Sequence, residues 1–244
     1  MIKNFFRYIY YEIISIFIFF NLRSENGHSY QVFFLNNKNL FNKLCIKYGT
    51  DKGFNSFGIK KFFGKGKNNF NYCYPHSYSK FYNDQFFDNR KKIKLIFECG
   101  IGDKTNKKKF IPGASLKVWR DFFPNAKIYG GDINKKLLFN SKKITTFHLD
   151  QKNSSNISRM WKRLNKKNFD IIIDDGAHNF NANINFFKNS FKQVKKGGVY
   201  IIEDILIQNL NSYKKYFKMK RLKFEIIHFN NNNYSNHCLI KIVK

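Results

Sequence analysis

Acidic residues are scarce in this chain: 16 Asp and Glu stand against 45 Lys and Arg in 244 residues, a formal charge of +29. Proline is scarcer still, and because Pro75, Pro112 and Pro124 are never adjacent, the Asn-Pro-Pro signature of enzymes that modify base amino groups is excluded. The four cysteines, Cys45, Cys73, Cys99 and Cys238, form no C-x-x-C pair. That spacing argues against structural zinc and against a disulfide framework, and it favours a reducing compartment, the cytoplasm. Long apolar runs are also missing. The longest uncharged one, Ile13 to Leu22, has half of the roughly 20 residues that a spanning helix needs.

What is present points to a folded enzyme-sized domain. Hydrophobic residues at 43% and aromatics at 19% exclude a disordered or fibrous chain. The excess lysines are spread through KKFFGKGK, KKIK, NKKKF, KRLNKK and KKYFKMK and form no compact RNA-binding signature. They read mainly as solvated side chains, and the many Asn residues read as filler. The apolar N-terminus, residues 1–23, is expected to be a helix packed on the body or on a partner subunit. The alternative is a helix lying on a membrane surface, at the inner face.

From Lys91 onward the pattern alternates as in doubly wound α/β domains. KLIFECG, AKIYGGDI, ITTFHLD, FDIIID and GGVYIIED are near-continuously apolar, as parallel strands covered on both faces must be. Helices are expected at 114–123, 153–165, 180–194 and about 206–219. KFEIIHF and CLIKIV, separated by NNNNYSN, predict a C-terminal antiparallel hairpin. The expected fold is therefore a mostly parallel, Rossmann-like sheet of seven strands over residues 93–244. Residues 24–92, with a helix at 37–48, the turn YGTDKG and the segment HSYSKFYNDQFF, are expected to cap its carboxyl edge.

Ligands of such sheets bind beyond the carboxyl ends of the strands. Five of those ends carry acids: Glu98, Asp132, Asp150, the Asp174–Asp175 pair and the Glu203–Asp204 pair. In so acid-poor a chain, capping alone does not account for five in succession. Gly100 and Gly102 after Glu98 allow close backbone approach, but no G-x-G-x-x-G runs on into a helix, so the loop lacks a pyrophosphate fingerprint. Asp132 is placed for a ribose diol, and Asp150 with Gln151 suits the far end of a nucleoside. An adenosine-containing ligand without pyrophosphate, such as S-adenosylmethionine, meets these requirements. Asp175, Glu203 and Asp204 would repel one another on one rim. A hard divalent cation such as Mg²⁺ relieves that repulsion, and His178 beside it would take a proton from a substrate hydroxyl.

The pieces FECGIG, PGASLKVWRDFFPNAKIYGGDI, FHLDQ, IIIDDGAHNF and GGVYIIEDI, with YGTDKG and HSYSKFY upstream, resemble the metal-dependent class I methyltransferases that act on sugars attached to macrolides and aminocoumarins. They also resemble relatives encoded among polysaccharide-biosynthesis genes. The resemblance implies metal ligands at Asp175, Glu203 and Asp204, and His178 as general base. An Asp that is the base in some relatives is replaced here by Ala177. It further implies a methyl-donor site around Glu98, Gly100, Gly102, Ser115, Asp132, Asp150 and Asp174, and a homo-oligomer. The expected function is S-adenosylmethionine-dependent O-methylation of a sugar hydroxyl for a capsule or other surface polysaccharide. The alternatives are an RNA methyltransferase and a binding protein on the same scaffold.

Overall fold

The computed structural model describes residues 28–34, 38–53, 78–102, 111–230 and 237–244. The expected N-terminal helix, the insert 54–74, His76 and Cys73 lie outside the described residues.

A nine-stranded sheet organises the chain. Its strands in chain order are β1 (His28–Phe34), β2 (Leu95–Cys99), β3 (Lys127–Asp132), β4 (Asn140–Ser141), β5 (Ile144–His148), β6 (Phe169–Asp174), β7 (Val194–Leu206), β8 (Phe224–Asn230) and β9 (His237–Val243). The spatial order is β1-β8-β9-β7-β6-β2-β3-β5-β4. Strands β5, β3, β2, β6 and β7 are mutually parallel. Strand β9 runs antiparallel to both β7 and β8, as the C-terminal hairpin predicts. All seven expected strands are present, and two more extend the sheet. One is β1, paired in parallel with β8, and the other is the two-residue β4 beside β5.

Among the described residues the α-helices are α1 (Leu40–Tyr48), α2 (Ser79–Phe86), α3 (Ala114–Phe122), α4 (Ser154–Leu164), α5 (Phe180–Ser190) and α6 (Leu210–Met219). They lie in two layers because successive strand residues face opposite sides. Ile96, Ile171, Ile173 and Ile201 pack with Phe41 of α1, Tyr82 of α2 and Trp119 of α3. Phe97, Ile172, Tyr200 and Ile202 pack with Trp161 of α4, Phe186 of α5 and Phe217 of α6. Both faces are thus apolar, which explains the continuous hydrophobic strand sequences. Phe41 stacks on Tyr82 at 5.2 Å and approaches Trp119 at 5.0 Å, fixing α1 and α2 onto α3.

Asparagine proves to be more than filler. The side chains of Asn39, Asn153 and Asn179 accept from Asn42 N, Asn156 N and Ala182 N at the starts of α1, α4 and α5. Each satisfies an amide that the helix itself leaves without a partner. Among the described residues no helix is long and apolar enough to cross a membrane.

Candidate active site

A cleft of about 760 Å³ opens at the carboxyl ends of β2, β3, β5, β6 and β7. Its floor begins at the β2 turn, where Gly100 has φ 84° and donates to Gly131 O at 2.8 Å. A Cβ there would lie 2.0 Å from Asp175 O, so only glycine allows the β2 and β6 turns to meet. Asp132 closes the far wall: Oδ2 accepts from Ile101 N at 3.1 Å and Oδ1 from Asn134 N at 2.7 Å. Asp150 lies on the same rim and accepts from Lys152 N at 3.0 Å. Gly102, Ser115 and Gln151 also line the cleft.

Two of the residues expected at the donor site lie beneath the cleft rather than on it. Glu98 is fully buried and receives the Ser115 hydroxyl at 2.6 Å. Burial pushes its pKa up to about 7, against the pull of Lys52. Asp174 is likewise fully buried and is raised to about 7 by burial. Gln151 donates to Asp174 Oδ1 at 2.6 Å and accepts from Ala177 N at 2.7 Å. It thereby fixes the 175–178 turn against the sheet.

The opposite wall gathers Asp175, Glu203, Asp204 and His178. Adjacent strand residues normally face opposite sides, so Glu203 and Asp204 need a special backbone to share one cleft. The β7–β9 register shifts between Ile202 and Ile205, and Asp204 sits at φ 55°. This bulge re-aims Asp204 toward the cleft in the manner typical of bulges beside active sites. His178, at φ 49° in the turn before α5, points Nε2 between two of these acids. It lies 4.0 Å from Asp175 Oδ1 and 3.8 Å from Asp204 Oδ2. These separations are too long for hydrogen bonds and leave room for an atom between them. One ligand atom from each of Asp175, His178 and Asp204 lies within 4.8 Å of the others.

Three side chains that the sequence reading did not single out complete this wall. The Lys52 ammonium, beyond α1, contacts Asp175 Oδ2 at 2.6 Å, Glu98 Oε1 at 3.4 Å, and Glu203 Oε2. The Tyr82 hydroxyl donates to Glu203 Oε1. The Tyr78 hydroxyl donates to Asp204 Oδ1. Burial works against the charge of Lys52, but Asp175, Glu203 and Glu98 outweigh it and hold its pKa well above the lysine range. Burial also raises Asp175 and Glu203, with Lys52 opposing in both cases. Lys52 was hidden by its abundance, one basic residue among 45. The available signal was the i, i+4 spacing of Tyr78 and Tyr82, which places two hydroxyls on one side of a helix.

No family model matches the chain. Over 131 residues it is 35% identical to mycinamicin VI 2''-O-methyltransferase of Micromonospora griseorubida, a stretch covering 53% of this chain and 32% of that protein. It is 32% identical over 130 residues to 8-demethyl-8-(2-methoxy-alpha-L-rhamnosyl)-tetracenomycin-C 3'-O-methyltransferase of Streptomyces olivaceus, with the same coverages of 53% and 32%. In sequence the chain is similar to these O-methyltransferases over about half of its length. The fold agrees: the MycE methyltransferase of the mycinamycin biosynthetic pathway, solved in complex with Mg and SAH, superposes with a TM-score of 0.58 at 23% identity, covering 84% of this chain and 55% of that one. The architecture is that of the class I methyltransferases. The stretch shared with the two curated relatives spans about a third of their length.

Proposed function

We propose that this chain is an S-adenosylmethionine-dependent O-methyltransferase that acts on a sugar hydroxyl with the help of a divalent cation, Mg²⁺. The observation that carries the reading is the convergence of Asp175, Asp204 and His178 within 4.8 Å at the end of a cleft whose far wall is built around Asp132 and Asp150.

The residues present fit both groups. Both Asp132 oxygens are held by backbone amides, and each keeps a lone pair for one hydroxyl of a ribose diol. Glu98 and Asp174 act from below, Glu98 by fixing Ser115 and Asp174 by fixing Gln151. Asp175 Oδ1 and Asp204 Oδ2 are the hard oxygen donors offered to Mg²⁺, while both Glu203 oxygens are held by Lys52 and Tyr82. When bound, the two groups supply an electrophilic methyl and a positive charge that lowers the pKa of a substrate hydroxyl.

His178 is the base in this scheme. Its side chain is 43% exposed and Nε2 faces the two acids, so it would accept the proton of a substrate hydroxyl docked at the cleft mouth. The substrate is a nucleotide-activated or glycan-linked sugar of a capsule or related surface polysaccharide, methylated in the cytoplasm by a homo-oligomer. Support comes from the similarity to enzymes named for O-methylation of sugar-bearing products.

The test is incubation of the purified protein with labelled S-adenosylmethionine and a panel of nucleotide sugars, with and without EDTA. Transfer to a sugar that stops in EDTA and returns with Mg²⁺ is expected. Transfer indifferent to EDTA would contradict the mechanism, and transfer to RNA alone would contradict the substrate.

A further inference from the structure

In a chain with 45 Lys and Arg, Lys52 is the one basic side chain, among the described residues, that is buried, at 2% exposure. Its ammonium is surrounded by three carboxylates, Glu98, Asp175 and Glu203, of which Glu98 and Glu203 are fully buried. The acids at the cleft also divide their oxygens. Asp175 gives Oδ2 to Lys52, and its Oδ1 faces His178. Asp204 gives Oδ1 to the Tyr78 hydroxyl, and its Oδ2 faces His178. Glu203 lies behind them between Lys52 and Tyr82. Every one of these donors comes from the N-terminal segment, and every acceptor comes from the ends of β2, β6 and β7.

We propose that Lys52 is an internal cation of the reaction centre: it neutralises the inner carboxylates and holds Asp175 Oδ2, so that a divalent ion meets Asp175 Oδ1 and Asp204 Oδ2 in competition with the ammonium's own charge. The inference rests on the reading of that position as a cation site. Isolated buried carboxylates are costly, and a protein that relied on Mg²⁺ alone to compensate them would lose stability whenever the ion left. With Lys52 in place the inner charge is balanced at all times. The exchangeable ion meets a rim whose charge has been reduced by one. Lys52 also joins Glu98, under the methyl-donor side, to Asp175, on the cation side.

The test uses full-length protein and needs no methyl transfer. Melting curves are taken in EDTA and in Mn²⁺, and Mn²⁺ binding is titrated by electron paramagnetic resonance. In K52M the metal-free protein is expected to lose at least about 5 °C of Tm and to recover most of it with Mn²⁺. Removing the competing charge is expected to tighten Mn²⁺ binding about tenfold. K52R, which keeps the charge, is expected to retain wild-type metal dependence. An equal loss of Tm with and without Mn²⁺, together with unchanged affinity, would mean that Lys52 merely fills space, and would overturn the proposal.

If K52M does not accumulate as folded protein, the double variant K52M/E203Q decides. Removing one carboxylate together with the ammonium is expected to restore folding, and persistent misfolding would overturn the proposal. If the wild type binds no Mn²⁺, the cation reading fails by itself. The inference then stands if K52M/E203Q melts above K52M, and falls if it does not. Mn²⁺ binding by a protein that transfers no methyl group would count against the proposed activity and leave Lys52 its role.

Discussion

The two ends of β6 carry the same residue type in opposite circumstances. At the amino end, buried Asp170 accepts from Lys94 N and Leu95 N at 2.8 Å each, and its other oxygen is held by Lys195. At the carboxyl end, Asp174 is raised to about 7 by burial, and Asp175 shares a single lysine with Glu98 and Glu203. Asp170 has three donors to itself and ties the starts of β2, β6 and β7 together. Asp175 depends on donors more than a hundred residues away in the chain, and it still keeps one oxygen facing an imidazole. An acid that the fold satisfies is structural, whereas acids that outnumber their donors at a cleft mark the chemistry.

Substitutions at these positions can sharpen or break that contrast. The largest effect is expected from Asp175→Asn, which should reduce cation binding to background in a calorimetric titration and abolish turnover. Retained cation affinity would remove the distinction between the two ends. His178→Ala comes next. Turnover is expected to fall about 10²- to 10⁴-fold, the range for loss of a general base, with cation affinity retained. Parallel loss of both would make His178 a ligand instead.

Asp174 predicts a pH effect. Its pKa rises from an ordinary 3.8 to about 7 in the fold, so the folded state holds a proton that the unfolded chain has already released. Stability is therefore greatest below pH 4 with respect to this group, and it is lost as pH rises toward 7. The size is at most about 4 kcal/mol, from about 1.4 kcal/mol per unit. In metal-free protein, Asp174→Asn should flatten this part of the urea-denaturation profile, and an unchanged slope would contradict the assignment. Asp170→Asn is expected to have the smallest effect, a loss of about 1 to 3 kcal/mol of stability for an unsatisfied buried partner. Cation affinity and turnover should be unaffected, and a fall in either would blur the comparison.

Most of the sheet was legible because parallel strands buried on both faces leave uninterrupted apolar runs such as IIID and VYIIED. Strand β1 was not. HSYQVFF is short, and its partner β8 lies almost two hundred residues later, a pairing that no local pattern records. The acids of the cleft were legible because acids are rare in this chain. The bulge that lets Glu203 and Asp204 share a cleft was not, since two adjacent acids read the same on a regular strand. Lys52, Tyr78 and Tyr82 were the larger omission. Their motifs, YGTDKG and HSYSKFY, were recognised only as resemblances, because a lysine's burial depends on tertiary contacts and not on its neighbours in sequence.

The central claim is that carboxylates from the ends of β6 and β7 trap one divalent ion beside His178. Anomalous diffraction from crystals grown with Mn²⁺ tests it directly. The expected result is one strong peak within roughly 2.0 to 2.6 Å of oxygens of Asp175 and Asp204. A fully occupied ion elsewhere in the cleft, or no ion at a concentration that supports turnover, would contradict it.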